Sequence, residues 1–397
     1  MTEMTYDVVV VGGGPAGATA AHELARRGRS VLLLDRAWRV KPCGGAVPPQ
    51  LLTDFEVPES LLVARINEAR MISPKGRNVD IPVGQGFVGM VDRDVFDEWL
   101  RARAAAAGAA RRTGAFIRRE HDADGVARVV YTDGRSRHGA EQSVRARFII
   151  GADGALSQVA RQCIPRADEG KFVFAYHEIV ESPTVDSEAF AHDRCDVYYQ
   201  SPLSPDFYAW IFPHGKTTSI GTGSLQKGFS LKGSVARLRE ATGLDQARTI
   251  RTEGAPIPLH PLPIWDDGKE VVLAGDAAGV VAPASGEGIF YAMTGGRLAA
   301  DAVEAALATR SARALASARK RFMRAHGQVF WVLDIMQRFW YTDDDRRERF
   351  VAICRDEDVQ RLTFDAYMRK RLVRAKPLSH VRIFFKNLAH LTGLATT

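Results

Sequence analysis

The stretch that most constrains the fold of this 397-residue chain lies near its N-terminus, where YDVVVV runs directly into GGGPAGATAAHELARRG. The first six letters form a short β-branched run, which is typical of a strand buried in a parallel sheet. Gly12, Gly14 and Gly17 then form a GxGxxG pattern at the expected start of a helix. Gly12 permits a tight turn, Gly14 lets the backbone approach a pyrophosphate, and Gly17 lets the helix pack close to the strand. The order predicts a Rossmann-like unit of an α/β fold.

The next apolar run, SVLLLD, indicates a dinucleotide site. It ends at Asp35, about 20 residues beyond the glycine pattern. An acidic side chain at that strand end can accept hydrogen bonds from the ribose hydroxyls of an adenosine. The new helix would also point its N–H groups and its positive dipole end at the phosphates. These features predict a bound dinucleotide but do not say which one.

Two later segments repeat the pattern of strand, glycine turn and helix. ARFIIGADGALSQVAR (146–161) places Asp153 and Gly154 before a helix, and EVVLAGDAAGVVAPASGEGIFYAM (270–293) places a GD pair before another. Together with the first motif they resemble the FAD-binding set of the aromatic-hydroxylase-like flavoproteins. The resemblance implies that Asp276 holds the ribityl chain of FAD, and that backbone amides near Gly286 and Gly288 face the flavin pyrimidine. The alternative interpretation is three tight turns of an α/β sheet without a ligand.

The same resemblance extends the cofactor site to further residues. Arg93, in MVDRDVFDEWL, matches a position that commonly reaches the pyrophosphate from the following helix. The predicted FAD contacts are Gly12, Gly14, Pro15, Ala16, Gly17, Asp35, Arg36, Cys43, Gly44, Gly45, Arg93, Asp153, Gly154, Asp276, Gly286, Gly288 and Ile289. FAD is therefore the expected cofactor.

The placement of these motifs predicts a discontinuous flavin domain, comprising residues 1–70, 88–165 and 265–305. A β-rich substrate domain over 166–264 is indicated by strand-like runs such as FVFAYHEIV, CDVYYQ and YAWIFP, broken by Pro and Gly. Residues 306–397 are expected to form a helical C-terminal region with a basic amphipathic tail. Because flavin and substrate must meet at a domain junction, the β-rich insert is the expected floor of the substrate cavity.

An aromatic run and a glycine-rich turn indicate the substrate. In PDFYAWIFPHG, Tyr208, Trp210 and Phe212 alternate onto one strand face, which predicts either ordinary sheet packing or the wall of an apolar cavity. YxWxFP, together with the CGG of KPCGGAVPP, resembles the geranylgeranyl reductase family. FVGMVDRDVFDEWLR, EGAPIPL and GDAAGVVAPASGEGI extend the resemblance to the bacterial bacteriochlorophyll branch of that family. Asp rather than Glu at residue 35 is a departure that can make the same ribose contact.

The resemblance implies an FAD-dependent reductase. Its expected reaction converts the geranylgeranyl chain of geranylgeranyl-bacteriochlorophyll, or of geranylgeranyl diphosphate, to phytyl, with NADPH or ferredoxin as electron donor. An isolated alkene has no carbonyl to polarise, so reduced flavin must deliver hydride at near-attack distance while another group supplies a proton. Cys43 is expected beside the flavin ring, where it would donate that proton or only shape the slot, and Tyr208 is the rival donor. The expected substrate contacts are Tyr208, Trp210, Phe212 and Pro213.

The charge distribution indicates a surface partner. The net charge of +7 equals the Lys and Arg content from Ala366 to the C-terminus, a stretch without Asp or Glu. Val381, Phe384, Phe385 and Leu388 recur there at helical spacing. This amphipathic helix can pack on its own protein or dock to an anionic membrane. No nucleic-acid recognition motif accompanies the charge, so no nucleic-acid partner is expected.

The cysteines and histidines indicate neither a metal site nor further catalytic groups. Cys43, Cys163, Cys195 and Cys354 lack CxxC spacing and neighbouring histidine pairs, which predicts reduced thiols in the cytoplasm. His177, His214 and His260 are expected to be structural, because no acidic partner stands at motif spacing. The N-terminus shows no secretory leader, and no run approaches about 18 apolar residues. With the family resemblance, this predicts a cytoplasmic protein that is peripheral on the photosynthetic membrane.

Three rival functions remain open from the sequence. An FAD monooxygenase acting on a lipid-like substrate would use the same fold. A quinone-linked electron-transfer flavoprotein is disfavoured, because its expected iron–sulfur cysteine cluster is absent from the sequence. A non-catalytic pigment carrier could keep FAD as a structural element.

Overall fold

The computed structural model of the protein describes residues 4–36, 40–84, 86–134, 139–360 and 370. The strands are β1 (Thr5–Val11), β2 (Val31–Asp35), β3 (Ala46–Val47), β4 (Leu62–Ile66), β5 (Glu68–Ile72), β6 (Asn78–Pro82), β7 (Val88–Val91), β8 (Ala110–His121), β9 (Ala127–Asp133), β10 (Glu141–Gly151), β11 (Phe172–Glu181), β12 (Arg194–Tyr198), β13 (Ala209–His214), β14 (Thr217–Ser224), β15 (Thr249–Pro258) and β16 (Val271–Leu273). The helices are α1 (Pro15–Ala25), α2 (Pro49–Asp54), α3 (Arg93–Ala106), α4 (Gln158–Cys163), α5 (Leu231–Ala241), α6 (Ile289–Thr309), α7 (Ser317–Trp340) and α8 (Asp344–Ile353). The predicted basic tail, apart from residue 370, lies outside the described residues.

The chain divides into two compact units, and the first comprises Met1–Lys41, Arg93–Phe172 and Pro256–Gly327. Its sheet is built on β1, which pairs in parallel with β2 and β10, while β10 pairs in parallel with β16 and β2 with β8. The C-terminal part of β8 and the N-terminal part of β10 pair antiparallel with β9. The second half of β1 is a continuous apolar run, as expected for a strand covered on both faces, and Val8, Val9 and Val10 are fully buried.

The register of the first unit brings four strand ends to one edge of the sheet. Val11 pairs with Leu34 and with Gly151, and Gly151 pairs with Leu273. The turns that follow β1, β2, β10 and β16 therefore start side by side at the carboxyl edge. In open α/β sheets this edge is where ligands bind.

The second unit comprises Pro42–Asp92, Val173–Ala255 and Gln328–Thr397. Its main sheet has the strand order β15-β11-β14-β13-β12-β5-β6, and β3, β7 and β4 form a small separate sheet. Apolar residues on one face of the main sheet form a buried cluster with α5, which includes Ile211, Ile220 and Leu238. The opposite face is therefore the one that carries Trp210 and Phe212, because neighbours along a strand point to alternate faces.

The α/β class with a β-rich insert is confirmed, but the two units differ from the predicted domain boundaries. Residues 42–70, which the motif order places in the flavin domain, lie in the second unit. The reason is strand pairing, because β5 adds in parallel to β12 of the main sheet. Residues 306–327, expected in a separate helical region, belong to the first unit. None of the helices in the described residues is long and apolar enough to cross a membrane.

Candidate active site

The turn between β1 and α1 has the geometry that the first glycine motif predicts. Gly12 has φ +105°, and a Cβ there would lie 2.3 Å from the Ala152 carbonyl oxygen. A Cβ on Gly17 would lie 1.8 Å from the Gly12 carbonyl oxygen, so the helix packs against the turn at a distance that only glycine allows. Among the described residues, a Cβ on Gly14 would meet no atom within 4 Å, and no side chain caps the helix that starts at Pro15. This N-terminus can accept a phosphate group.

Asp35 lies at the end of β2, directly beside this turn. Its carboxylate accepts a hydrogen bond from the Gly13 N–H at 3.1 Å. Arg101 on α3 lies 3.6 Å from the second carboxylate oxygen and donates to the Gly13 carbonyl at 3.2 Å. Arg36 follows Asp35 and is partly exposed. The sequence analysis did not identify Arg101, because no motif marks its approach to a turn 88 residues earlier in the chain.

Arg93 lies at the start of α3 and is only 5 % exposed. Its guanidinium donates two hydrogen bonds to the Asp97 carboxylate, at 2.8 and 2.7 Å. This bidentate pair lies within one turn of the same helix. The predicted contact of Arg93 with the pyrophosphate stays a prediction.

Asp153, in the turn after β10, caps the following helix. One carboxylate oxygen accepts from the Gln158 N–H at 2.7 Å and from the Val159 N–H at 3.3 Å, and the other accepts from the Ser157 hydroxyl. Burial raises the pKa of the Asp153 carboxyl, against the opposite effect of these hydrogen bonds. Gly154 has φ +87°, and a Cβ there would meet no atom within 4 Å. The observed role of Asp153 is to hold this turn in shape.

Asp276 lies in the short 3-10 turn after β16, where its side chain is 8 % exposed. Lys41 forms an ion pair with its carboxylate. A Cβ on Gly288, which precedes α6, would lie 3.8 Å from the other carboxylate oxygen. Gly286 has φ +67°, and α6 begins at Ile289 without a side-chain cap. The turn therefore combines a carboxylate, a cation and the N-terminus of a long helix.

Ala16 joins the first and third motifs. A Cβ on Gly275 would lie 2.7 Å from the Ala16 Cβ, and one on Gly296 would lie 2.1 Å from the Ala16 carbonyl oxygen. The start of α1, the turn after β16 and the body of α6 thus meet at one small residue. A cleft of about 210 Å³ also borders Asp276, and its lining includes Arg161 and His260.

In the second unit, the three predicted aromatic residues form one row. Tyr208 directly precedes β13, and its ring centroid lies 5.9 Å from that of Trp210, which lies 6.1 Å from that of Phe212. Tyr208 and Trp210 are 8 % and 6 % exposed, Phe212 is partly exposed, and Pro213 is buried. A Cβ on Gly221 would lie 2.2 Å from the Trp210 ring, so glycine lets the indole lie flat on the neighbouring strand.

The CGG turn packs against the same strand. A Cβ on Gly44 would lie 3.1 Å from the Phe212 ring. Gly45 has φ +72°, its N–H donates to the Cys43 Sγ at 3.4 Å, and its carbonyl accepts from the Val91 N–H at 3.0 Å. Cys43 itself is partly buried and free. The structure thus brings together two motifs of the second unit that lie far apart in sequence.

His214, at the end of β13, contacts this turn. Its Nε2 lies 3.0 Å from the Gly44 carbonyl oxygen, and its Nδ1 lies 3.1 Å from an Asp92 carboxylate oxygen. The hydrogen bond from His214, opposed by burial and assisted by the charges of His214 and Arg251, lowers the pKa of the Asp92 carboxyl. His214 therefore has an acidic partner that lies 122 positions away in the sequence rather than at motif spacing.

His177 on β11 also has an acidic partner. Its Nε2 lies 3.0 Å from the Glu253 carboxylate, and its Nδ1 lies 2.9 Å from the Ser219 hydroxyl. The Trp210 indole N–H donates to the same hydroxyl at 3.1 Å. Burial opposes ionisation of Glu253, but the hydrogen bond and the charge of His177, together with the charge of Arg251, still lower its pKa. The four side chains form a continuous hydrogen-bonded path to the aromatic row.

Comparison with known proteins identifies the family. An FAD binding domain family matches residues 63–329, and an FAD dependent oxidoreductase family matches residues 7–46. A geranylgeranyl diphosphate reductase of Rhodobacter capsulatus is 57 % identical over 391 residues, which cover 98 % of each chain. This chain belongs to the geranylgeranyl diphosphate reductase family. The resemblance seen in the motifs is confirmed.

One further relative agrees with this family, and one solved structure agrees with the fold. The chloroplastic geranylgeranyl diphosphate reductase of Oryza sativa is 36 % identical over 97 % of this chain and 86 % of its own length. A crystal structure of a geranylgeranyl bacteriochlorophyll reductase-like protein from Thermoplasma acidophilum superposes with a TM-score of 0.81 at 23 % identity, over 94 % of this chain and 99 % of the other. At that identity the likeness shows the fold, which is the expected FAD-binding architecture.

The residues of the first unit fit an FAD. The open position at Gly14, the uncapped starts of α1 and α6, and the carboxylates of Asp35 and Asp276 suit a pyrophosphate, a ribose and a ribityl chain. Lys41 and Arg101 are additional candidate contacts that sequence motifs did not indicate. Within the described ranges, no cluster of His, Cys, Asp and Glu is arranged to hold a metal ion.

Proposed function

We propose that this chain is an FAD-dependent reductase that hydrogenates the double bonds of a geranylgeranyl chain. The 57 % identity to a geranylgeranyl diphosphate reductase over almost the full length of both chains carries this proposal. The FAD turns of the first unit, and the CGG turn and aromatic row of the second, are the local features that support it.

In the proposed mechanism the first unit holds FAD, which supplies hydride to one alkene carbon when it is bound and reduced. Gly14 and the start of α1 would bind the pyrophosphate, and Asp35 the adenosine ribose. Asp276 would accept hydrogen bonds from the ribityl hydroxyls, with Lys41 as its ion-pair partner. The N-terminal dipole of α6 would favour negative charge on the ring.

The second unit would hold the isoprenoid chain. Trp210 and Phe212 offer apolar ring surface without a charged clamp, which suits an unactivated alkene. The reaction also needs one proton for the second alkene carbon. Cys43 is the proposed donor, because its thiol is held in a fixed turn by the Gly45 N–H. Tyr208 is the second candidate donor.

The finer points of the reaction are part of the same proposal. The names of the relatives support the free diphosphate as substrate, and the name of the Thermoplasma structure supports the bacteriochlorophyll ester. We propose NADPH as the electron donor, with ferredoxin as the alternative. We also propose that the basic residues after Ala366 dock the protein to an anionic photosynthetic membrane.

A mass measurement tests the reaction. FAD-loaded protein is incubated anaerobically with dithionite and either geranylgeranyl diphosphate or geranylgeranyl-bacteriochlorophyll, and product masses are recorded over time. We expect stepwise gains of two hydrogens on at least one of the two substrates. Unchanged masses for both, with the flavin reduced, would contradict the proposal. In air, a gain of one oxygen would instead identify a monooxygenase.

A further inference from the structure

The turn that carries Cys43 is held by a side chain 170 residues away from Gly44 in the sequence. His214 lies with Nε2 3.0 Å from the Gly44 carbonyl oxygen, and its side chain is 6 % exposed. Asp92, at the end of β7, lies 3.1 Å from the Nδ1 of the same ring. The imidazole therefore bridges the turn and the segment after β7.

The two partners of the ring differ in chemistry. A backbone carbonyl can only accept a hydrogen bond, so Nε2 is the donor to Gly44. The second partner is a carboxylate, and its hydrogen bond with His214 is the main cause that lowers the pKa of Asp92. A hydrogen bond to an ionised carboxylate is charge-assisted, which is the stronger kind.

The backbone of the turn is matched to this ring. A Cβ on Gly45 would lie 2.5 Å from the His214 Cε1 and 2.6 Å from the Val91 carbonyl oxygen, at a φ of +72°. The Gly45 carbonyl is itself bound by the Val91 N–H, and its N–H is bound to the Cys43 sulfur. The His214 ring, β7 and the Cys43 thiol thus all contact the backbone of this one turn.

We propose that His214, held by Asp92, is the positioning residue that fixes the Cys43 turn and thereby sets the accessibility and orientation of the Cys43 thiol. The inference rests on the proposed function in one respect only, which is that Cys43 would act in the reductase reaction. The role differs from that of a buried structural histidine, because its loss changes one thiol and leaves the rest of the second unit intact.

Alkylation of the cysteines tests this positioning without any substrate. The full-length holoprotein is treated with iodoacetamide under native conditions, and modification of each cysteine is followed by peptide mass spectrometry. Two variants are compared with the unaltered protein. His214→Phe removes both ring nitrogens, and Asp92→Asn keeps an acceptor atom but removes the charge.

We expect the alkylation rate of Cys43 to rise about tenfold in His214→Phe and to rise by a smaller factor in Asp92→Asn, because loss of a charge-assisted bond lets the turn open. Cys195, buried in the same unit, and Cys163, whose pKa burial raises to about 11, are the internal controls and should keep their rates. His192→Phe is the matched control variant, since it removes a histidine paired with Asp186 on the surface.

The contacts of His214 with Gly44 and Asp92 are called the clamp below. Measurements of enzyme activity test whether this clamp matters for the reaction. In His214→Phe we expect kcat for alkene hydrogenation to fall about tenfold, measured at saturating FAD because Cys43, Gly44 and Gly45 are also predicted FAD contacts. Unchanged Cys43 alkylation in both variants would overturn the proposal, as would a parallel rise at Cys195, which would mean general loosening. If His214→Phe does not fold, Asp92→Asn decides alone. If no substrate is ever reduced, the alkylation result still tests the clamp and only the proposed reaction fails.

Discussion

Two histidines of the second unit, His177 and His214, each pair with a carboxylate but differ in their second partner. Both side chains are buried, at 4 % and 6 % exposure, and each binds a carboxylate through one nitrogen. The other nitrogen of His177 faces the Ser219 hydroxyl, which can donate or accept. That of His214 faces a carbonyl, which only accepts. The second partner, rather than the carboxylate, therefore distinguishes the two histidines.

The two arrangements also act on different parts of the proposed site. His177 belongs to a path that runs from the Trp210 N–H through the Ser219 hydroxyl and the imidazole to the Glu253 carboxylate. This path orients one ring of the aromatic row. His214 instead orients a backbone turn. One histidine therefore supports a side chain, and the other supports the backbone.

The largest loss of stability is expected for substitution of Gly45, which packs against His214. Gly45→Ala places a methyl group 2.5 Å from the His214 ring and 2.6 Å from the Val91 carbonyl, so the clamp must open. We expect the free energy of unfolding, measured by urea denaturation, to fall by more than about 2 kcal/mol.

Gly76→Ala is the matched control for that substitution. Gly76 has φ +74° in the same unit, and a Cβ there would meet no atom within 4 Å. Only the cost of the left-handed backbone applies, which is about 1 kcal/mol. Equal losses for the two alanine variants would contradict a clamp that depends on His214.

An intermediate loss of stability is expected for substitution of Ser219, which is hydrogen-bonded to His177. Ser219→Ala leaves the Trp210 N–H and the His177 Nδ1 without their shared partner in a buried region. The expected loss of unfolding free energy is about 1–3 kcal/mol, with Cys43 alkylation unchanged. Thr217→Ala on the same strand alters a partly exposed hydroxyl and should cost less. Faster alkylation of Cys43 in Ser219→Ala would mean that the two histidine regions are not independent.

The smallest expected effect is a change with pH in the stability that Asp92 contributes. The pKa of Asp92 is lowered in the folded state, so its pairing adds stability above the unfolded carboxyl pKa of about 4, and that stability is lost as pH falls through the lower folded pKa. The difference in unfolding free energy between the unaltered protein and Asp92→Asn should therefore shrink when pH is lowered from about 6 to about 3. A difference that stays constant over this range would show that charge is not what holds His214.

The parts of the site that sequence reasoning predicted are those made by neighbouring residues. Gly12 and Gly17 lie five residues apart, and their conformations follow from the turn that they form. Arg93 matches a cofactor motif and also pairs with Asp97 one helical turn away, an i,i+4 pair that spacing alone would have indicated.

Other parts could not be predicted from the spacing of residues. Lys41 reaches Asp276 across 235 positions, and His214 reaches Asp92 across 122. No motif relates such residues, because strand order and register bring them together. The division of the chain shows the same limit, since the pairing of β5 with β12 places residues 42–70 in the second unit.

By itself, the sequence determined the glycine turns, the α/β class, the aromatic row and the reductase family. These depend on backbone conformation and on residues close together in the chain. Only the tertiary structure decided which groups face each histidine. These are a carboxylate and a backbone carbonyl for His214, and a carboxylate and a hydroxyl for His177. The physical reason is that a hydrogen bond needs its partner within about 3 Å in a defined direction, and only the packed sheet supplies that partner.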